Sequence, residues 1–303
     1  MQSITTIRKP TTPGGWIIPG LLVGFALFLL IGSLKSPLFA QQTVAGLANG
    51  GIYASLGVAL VLIYRATQVI NFSQGALATF TTYIAWQLMQ WGLSYWPAFV
   101  LTLGIAFAGG ILVEGAVGWI WGAEIRFMPP AFPAHTIHVG SVAFSVQDLG
   151  TIGVSIASVL VLWALFQFTK LGLAMRAAAL RPEAARFVGV RVSWMLSLGW
   201  GLAAVLGAVA GMMAAASPSV LLQPNMMDGV LIYAFAAAVV GGLESPAGAV
   251  IGGLAIGAML NLLGSYVSWV TPPLLLPAAF VVMLIVLLVK PSGLFGRTQV
   301  RRV

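Results

Sequence analysis

Few residues in this sequence could carry out covalent chemistry. His135 and His138 stand three apart, a spacing that binds metal when a helix carries it, but the flanking Pro133 and the β-branched Thr136, Ile137 and Val139 oppose a helix, and no third ligand is evident. No metal site is expected. There is no Cys, which removes disulfides, thiolate nucleophiles and Cys-based metal sites. His-Glu-x-x-His, Gly-x-Ser-x-Gly and Gly-x-x-x-x-Gly-Lys-Ser/Thr are all absent, so neither a hydrolase centre nor a phosphate loop can be assembled. What remains is the chemistry of recognition. Asn71, Ser73, Gln74 and Gly75 interrupt an apolar run at a depth polar side chains normally avoid, and Asn49 lies in the span before them. Polar groups inside a span need partners or a water-filled cavity, and Gly permits local unwinding, so these five are the candidate translocation path. A polar turn capping a helix at the interface fits the same residues.

The second group is the stretch 170–191, which gathers Lys170, Arg176, Arg181, Arg186 and Arg191 with a single acid, Glu183. Pro182 suits the first position of a helix and Glu183 its positive end, after which Ala184, Phe187 and Val188 recur at i, i+3 and i+4. The pattern predicts a short amphipathic helix between two spans, on the cytoplasmic side because of its basic flanks, with a small-residue face turned to a soluble partner. A solvated basic loop is the plainer alternative.

The elements that must position these residues are membrane helices. Of 303 residues 60% are hydrophobic and 7% charged, and the mean hydropathy is +1.02. The expected class is an all-α, polytopic helical membrane protein with about 8–10 transmembrane or re-entrant helices. The formal charge of +8 lacks any basic patch interleaved with aromatics, so the cations read as topology signals and nucleic acid is not an expected partner. Apolar runs cover 16–34, 43–64, 66–91, 98–121, 150–168, 194–216, 229–242, 247–267 and 273–289. Residues 1–15 form a cytoplasmic tail before a retained signal-anchor, 16–296 the membrane domain, and 297–303 a basic cytoplasmic tail. The Pro-rich stretch 122–150 is a β-rich or irregular loop outside the membrane. The run 229–242 is short enough that part of its region is a candidate re-entrant segment, and Glu244 reads as an interfacial turn residue. Five runs separate the basic N-terminus from the basic loop at 170–191, where two cytoplasmic ends demand an even number; one crossing is missing or one run does not cross.

Four stretches carry a resemblance to a known family, one of them the GG-x-x-S-x-x-GA-x-x-GG pattern of 241–253. GLAMRAAALRPEAARFVGV, with Glu183, Ala184, Ala185 and Gly189, resembles the coupling loop of the branched-chain amino-acid ABC-transporter permeases. NGGIYASLGVALVLIYRATQVINFSQGAL is similar to their N-terminal stretch, with Ser73-Gln74 where many members carry Ala-His, and KPSGLFG is similar to their C-terminal motif. The resemblance covers about residues 43–296 and implies the permease subunit of an ATP-driven importer of branched-chain or related amino acids. It is a multi-pass protein of the bacterial inner membrane, not itself an enzyme, with no cofactor on this chain and ATP used by a partner. Implied partners are two ABC ATPase subunits, a second homologous permease subunit or a copy of this one, and an extracytoplasmic substrate-binding protein, all around a lipid bilayer. Arg181, Glu183, Ala184, Ala185 and Gly189 would couple to the ATPase, the small side chains allowing close approach. Urea or short amides are alternative substrates. A secondary transporter or channel would want buried ion pairs, for which the six acids provide little. Family members usually follow an acid like Glu114 with a charged turn and a further span; here GAVGWIWG follows, as though about one span were deleted near Glu114–Gly115.

Overall fold

The computed structural model describes residues 17–67, 74–109, 126–133, 135–217, 222–223 and 226–296. Among them are eleven helices and one hairpin: α1 (Ile17–Lys35), α2 (Pro37–Thr67), α3 (Gln74–Gln90), α4 (Tyr95–Gly109), β1 (Thr136–Val139), β2 (Val142–Ser145), α5 (Val146–Phe168), α6 (Lys170–Leu180), α7 (Pro182–Phe187), α8 (Val192–Ala215), α9 (Met226–Gly241), α10 (Pro246–Tyr266) and α11 (Pro272–Val289). Five of these, α2, α5, α8, α10 and α11, are long and apolar enough to cross a bilayer, and α1, α4 and α9 contain shorter apolar helices. The expected class, an all-α polytopic membrane protein, holds.

Helix ends follow local chemistry. Pro182, Pro246 and Pro272 open α7, α10 and α11, where a missing N–H costs no hydrogen bond. The Thr169 and Ser245 hydroxyls accept from the Gly172 and Gly248 amides, capping α6 and α10. Between helices, packing in lipid cannot draw on the hydrophobic effect and depends on close approach. Helix α10 achieves this with two glycine stripes on opposite sides. Gly248 and Gly252 lie against the Gly241 and Ala237 carbonyls of α9, while Gly253 and Gly257 lie against Ala54, Gly50 and Gly46 of α2. A Cβ at any of these four glycines would overlap backbone.

Contacts along α2 set the direction of its neighbours. Gly51 packs on Ser155 and Ile152 of α5, and further along α2 Val58, Val61 and Ile63 cluster with Leu162, so α2 and α5 run the same way. Arg65 and the α5–α8 connection therefore share one end, which Lys290 also joins, because Tyr64 lines a cavity with Glu244 and Pro291. The positive-inside rule makes that basic end the one expected to face the cytoplasm.

The odd count of five runs resolves at α4. The Tyr95 hydroxyl donates to the Met212 carbonyl at 3.2 Å, and the Arg126 and Leu222 backbones exchange two hydrogen bonds of 2.9 and 3.1 Å. Both ends of the 95–126 segment thus lie at the outer end of α8. Yet Phe107 of α4 reaches Gly201, deep along α8 toward the basic end. Tyr95 and Arg126 thus lie at the same end, so the interval between them contributes no net crossing to the count, which becomes even. Two full crossings need about 40 residues at roughly 20 each, more than the segment holds. Glu114 and Gly115 lie outside the described residues.

The stretch 136–145 is a two-residue-loop hairpin, β1 antiparallel to β2, at the outer end that leads into α5, as the β-rich reading expected. Helix α9, only 16 residues, runs beside α2 to the basic end and is covered by α10 and α11. Glu244 is exposed in the turn after it.

Candidate functional site

Two places gather the sequence-predicted residues. The first lies at mid-depth, where α3 begins. Gln74 is its first residue and is fully buried. Its Nε2 donates to the Ala203 carbonyl of α8 at 2.7 Å, and the amide lies directly over Gly207, where a Cβ would collide with it. One turn on, Ala78 and Thr82 lie over Gly211 in the same way, so Gly207-x-x-x-Gly211 is the notch that lets α3 in. Gly75 faces Leu231 and the Met227 carbonyl of α9. Ala203 is eleven residues along α8 from Val192, about 16 Å at 1.5 Å per residue, or half of a hydrocarbon core about 30 Å thick. Gln74 therefore lies near the middle of the membrane.

The structure places Gln74 and Gly75 in close packing between α3, α8 and α9, not on an open water-filled cavity. Asn71 and Ser73 lie outside the described residues. Asn49 is half-buried on α2, about 12 Å outward of Gly57 by helical rise, and Gly57 faces Ala234 of α9. Asn49 and Gln74 thus sit at different depths and are not brought together. Sequence reasoning missed Thr82, Ala203 and Gly207 as partners of this site, although GxxxG marked the α8 face.

The second place is the short helix α7 at the basic end. Its Pro182 start and six-residue length match the expected helix. The orientation differs from the expectation of a small-residue docking face. Ala185 is 3% exposed and packs with Ala178 of α6 and Val192 of α8, so it holds α7 onto its own chain. Glu183, Ala184 and Arg186 are exposed, as is Arg181 just before the helix. Phe187 is 92% and Val188 78% exposed, a pair of apolar side chains projecting beyond the membrane helices. Gly189 has φ +82° and nothing near its missing Cβ. It serves the turn, with its amide donating to the Arg186 carbonyl at 3.0 Å and Val190 donating to Ala185 at 3.0 Å. The apolar recurrence at Phe187 and Val188 was visible in sequence; which side it faced was not.

His135 precedes β1 and His138 lies on it, both exposed, with the His138 Nε2 beside the Thr136 hydroxyl at 3.2 Å. Among the described residues no three His, Cys, Asp or Glu side chains group as metal ligands.

A bundle of apolar helices sealed by glycine notches, with a buried glutamine at mid-depth and a short helix at the basic end, has the architecture of a multi-pass membrane protein. The chain belongs to the family described as branched-chain amino acid transport system / permease component, whose sequence model matches residues 120–289. It is 26% identical to the high-affinity branched-chain amino acid transport system permease protein LivH of Salmonella typhimurium, over 88% of this chain and 98% of the relative. It is 25% identical to the LivH protein of Escherichia coli K12 and 27% to the BraD protein of Pseudomonas aeruginosa, each with the same coverage. No solved structure matches the chain. The Salmonella alignment runs over 310 positions, whereas 88% of this chain is about 267 residues, so about 43 positions of that relative have no counterpart here.

Proposed function

We propose that this chain is the membrane-spanning permease subunit of an ATP-driven importer of branched-chain or related amino acids in the bacterial inner membrane. It works with two ATPase subunits, a second permease subunit and an extracytoplasmic binding protein. Three named relatives are branched-chain amino acid permeases, which supports the substrate class. The observation that carries the coupling role is α7: a helix clasped to its own chain through Ala185 while Phe187 and Val188 stand out at the cytoplasmic end. Large apolar side chains exposed outside the lipid mark a protein contact, and an aromatic anchor seated in a partner's pocket is the usual centre of such an interface. Movement of the ATPase would then push α7, and through α6 and the start of α8 it would shift the notch that holds Gln74. ATP hydrolysis occurs on the partner.

The test is co-purification of the ATPase encoded beside this chain, with L-leucine, urea and acetamide uptake measured in proteoliposomes of the assembled complex. Phe187→Asp should lower ATPase association at least tenfold while the isolated subunit keeps its melting temperature. Unchanged association and unchanged stimulated hydrolysis would remove the coupling assignment. Uptake of urea or acetamide in place of L-leucine would move the substrate class.

A further inference from the structure

Polar side chains at membrane depth need hydrogen-bond partners or water, because lipid satisfies neither donors nor acceptors. Three such side chains meet between α2 and α9. Asn49 and Tyr53 stand one turn apart on one face of α2, and Tyr233 of α9 lies opposite, its ring centroid 5.1 Å from that of Tyr53. All three are half-buried. Among the described residues neither hydroxyl and neither polar atom of the Asn49 amide has a hydrogen-bond partner, and none of them is sealed from solvent. Toward the outer end this half-buried face continues through Ala45 to Gln42, while Gly46, Gly50 and Gly51 beside it are buried. Toward the basic end it closes. Leu56 and Leu60 are fully buried, and Gly57, one turn from Tyr53, meets the carbonyl of Ala234, the residue after Tyr233. The tyrosine pair thus forms the floor of a recess that is open outward and shut below. Its rings cluster with Ile256 and Leu260 of α10, so the floor is apolar apart from the two hydroxyls.

We infer that this recess is the outward-facing substrate site, with Asn49, Tyr53 and Tyr233 in contact with the transported amino acid: the two rings pack on its branched aliphatic side chain, and the Asn49 amide, one turn nearer the outer end, meets its ammonium and carboxylate groups. This deepens the proposed importer function and rests on it. A tyrosine ring offers an apolar face with a polar tip, and an amide carries both donors and an acceptor, so the set matches a molecule with an aliphatic body and a zwitterionic head. None of the three side chains is charged. Neutral contacts hold a zwitterion without trapping it, and a transport site must release what it binds. Passage inward requires the Gly57–Ala234 contact to part. Urea has no aliphatic body for the rings to hold.

The chain has no Cys, so Ala45→Cys places a single thiol on the same face of α2 at the mouth of the recess. The experiment measures how fast that thiol reacts with a small water-soluble thiol reagent in the assembled, nucleotide-free permease–ATPase complex in lipid nanodiscs, with L-leucine and glycine as protecting ligands. The thiol should react, and L-leucine should half-protect it at a concentration at least tenfold below that of glycine. Adding Asn49→Ala should raise the half-protecting concentration of L-leucine at least tenfold. Adding Tyr53→Ala or Tyr233→Ala should bring L-leucine and glycine within about twofold of each other, whereas Tyr53→Phe and Tyr233→Phe, which keep the ring, should keep the preference. A merely structural role for the tyrosines would lower the melting temperature and leave that ratio unmoved. The inference is overturned if the thiol is unreactive, as on a lipid-facing stripe, if L-leucine gives no protection, or if both Tyr→Ala variants keep the unaltered ratio. Uptake of L-leucine by the unaltered complex with its binding protein is measured alongside in proteoliposomes. Uptake without protection removes this site alone; absence of uptake removes the amino-acid reading itself, and the inference with it.

Discussion

Gly189 separates two explanations of the basic loop that differ in the order of tolerated substitutions. Its φ of +82° is a left-handed conformation, and its missing Cβ faces open space, so backbone freedom and not room is what the position supplies. Asn visits that conformation more readily than Ala. Gly189→Asn should therefore retain ATPase-stimulated hydrolysis better than Gly189→Ala, which should destabilise the turn by about 1 kcal/mol. If steric access for a partner governed the position, the smaller Ala would be the better tolerated. Ala185 makes the complementary case. Because it is buried against Ala178 and Val192, Ala185→Trp overpacks the loop from inside and should cost about 1–3 kcal/mol. That loss should be visible as a lowered melting temperature of the isolated subunit, before any partner is added.

At the scale of elements, the seam between α2 and α10 is the most extensive helix contact among the described residues. Gly257 lies against the backbone at Gly46 and Gly50, and neither helix can bend away without also lifting Gly253 off Ala54. Gly257→Leu should cost about 3 kcal/mol, read as loss of monodisperse protein in detergent. Ser265→Leu, one exposed position near the end of the same helix, should stay within about 0.5 kcal/mol of the unaltered protein. The C-terminal segment performs a different task. Leu294 and Phe295 donate their amides to the Val240 and Gly241 carbonyls at 2.8 and 2.9 Å, satisfying the last turn of α9. A Cβ on Gly293, at φ +75°, would meet the Gly242 backbone, and one on Gly242, at φ +104°, would meet the backbone of Gly296 and Ser292. Truncation before Ser292 leaves those two carbonyls exposed and should lower stability by about 1–3 kcal/mol, measured by thermal unfolding in detergent.

For the molecule as a whole, the proposed transport path requires that the mid-depth site change from packed to wet. Gly75 now faces Leu231 and Met227, and both sit in a methionine-rich cluster with Met212, Met213 and Met226. Unbranched, flexible thioether side chains re-pack with little penalty, which suits a region that opens and closes. In the assembled complex Gly75→Cys should react slowly with a small water-soluble thiol reagent in the absence of nucleotide. It should react at least tenfold faster in either the ATP-bound state, trapped with vanadate, or the state with binding protein docked. A rate that is uniformly slow in every state would place the path elsewhere.

Composition and run length alone determined that this chain is a helical membrane protein, because a hydrocarbon slab imposes a length and an apolarity that no soluble core requires. The position of the short helix after Pro182, and the presence of glycine notches in α8 and α10, were equally legible, since backbone chemistry at Pro and Gly acts locally. What the sequence could not determine is which side of each helix meets which neighbour. A glycine pair shows that something approaches closely, but only the assembled bundle decides that Gly207 receives Gln74 while Gly253 receives Ala54. The same limit explains Ala185 and Phe187: on a six-residue helix, rotation is set by what α6 and α8 offer to pack against, and those surfaces exist only once the spans are in place. The crossing count was likewise out of reach. An apolar run reports that residues prefer lipid or protein interior to water, and not how far the chain travels before it turns back. The hydrogen bonds of Tyr95 and Arg126 at one end of α8 decided it.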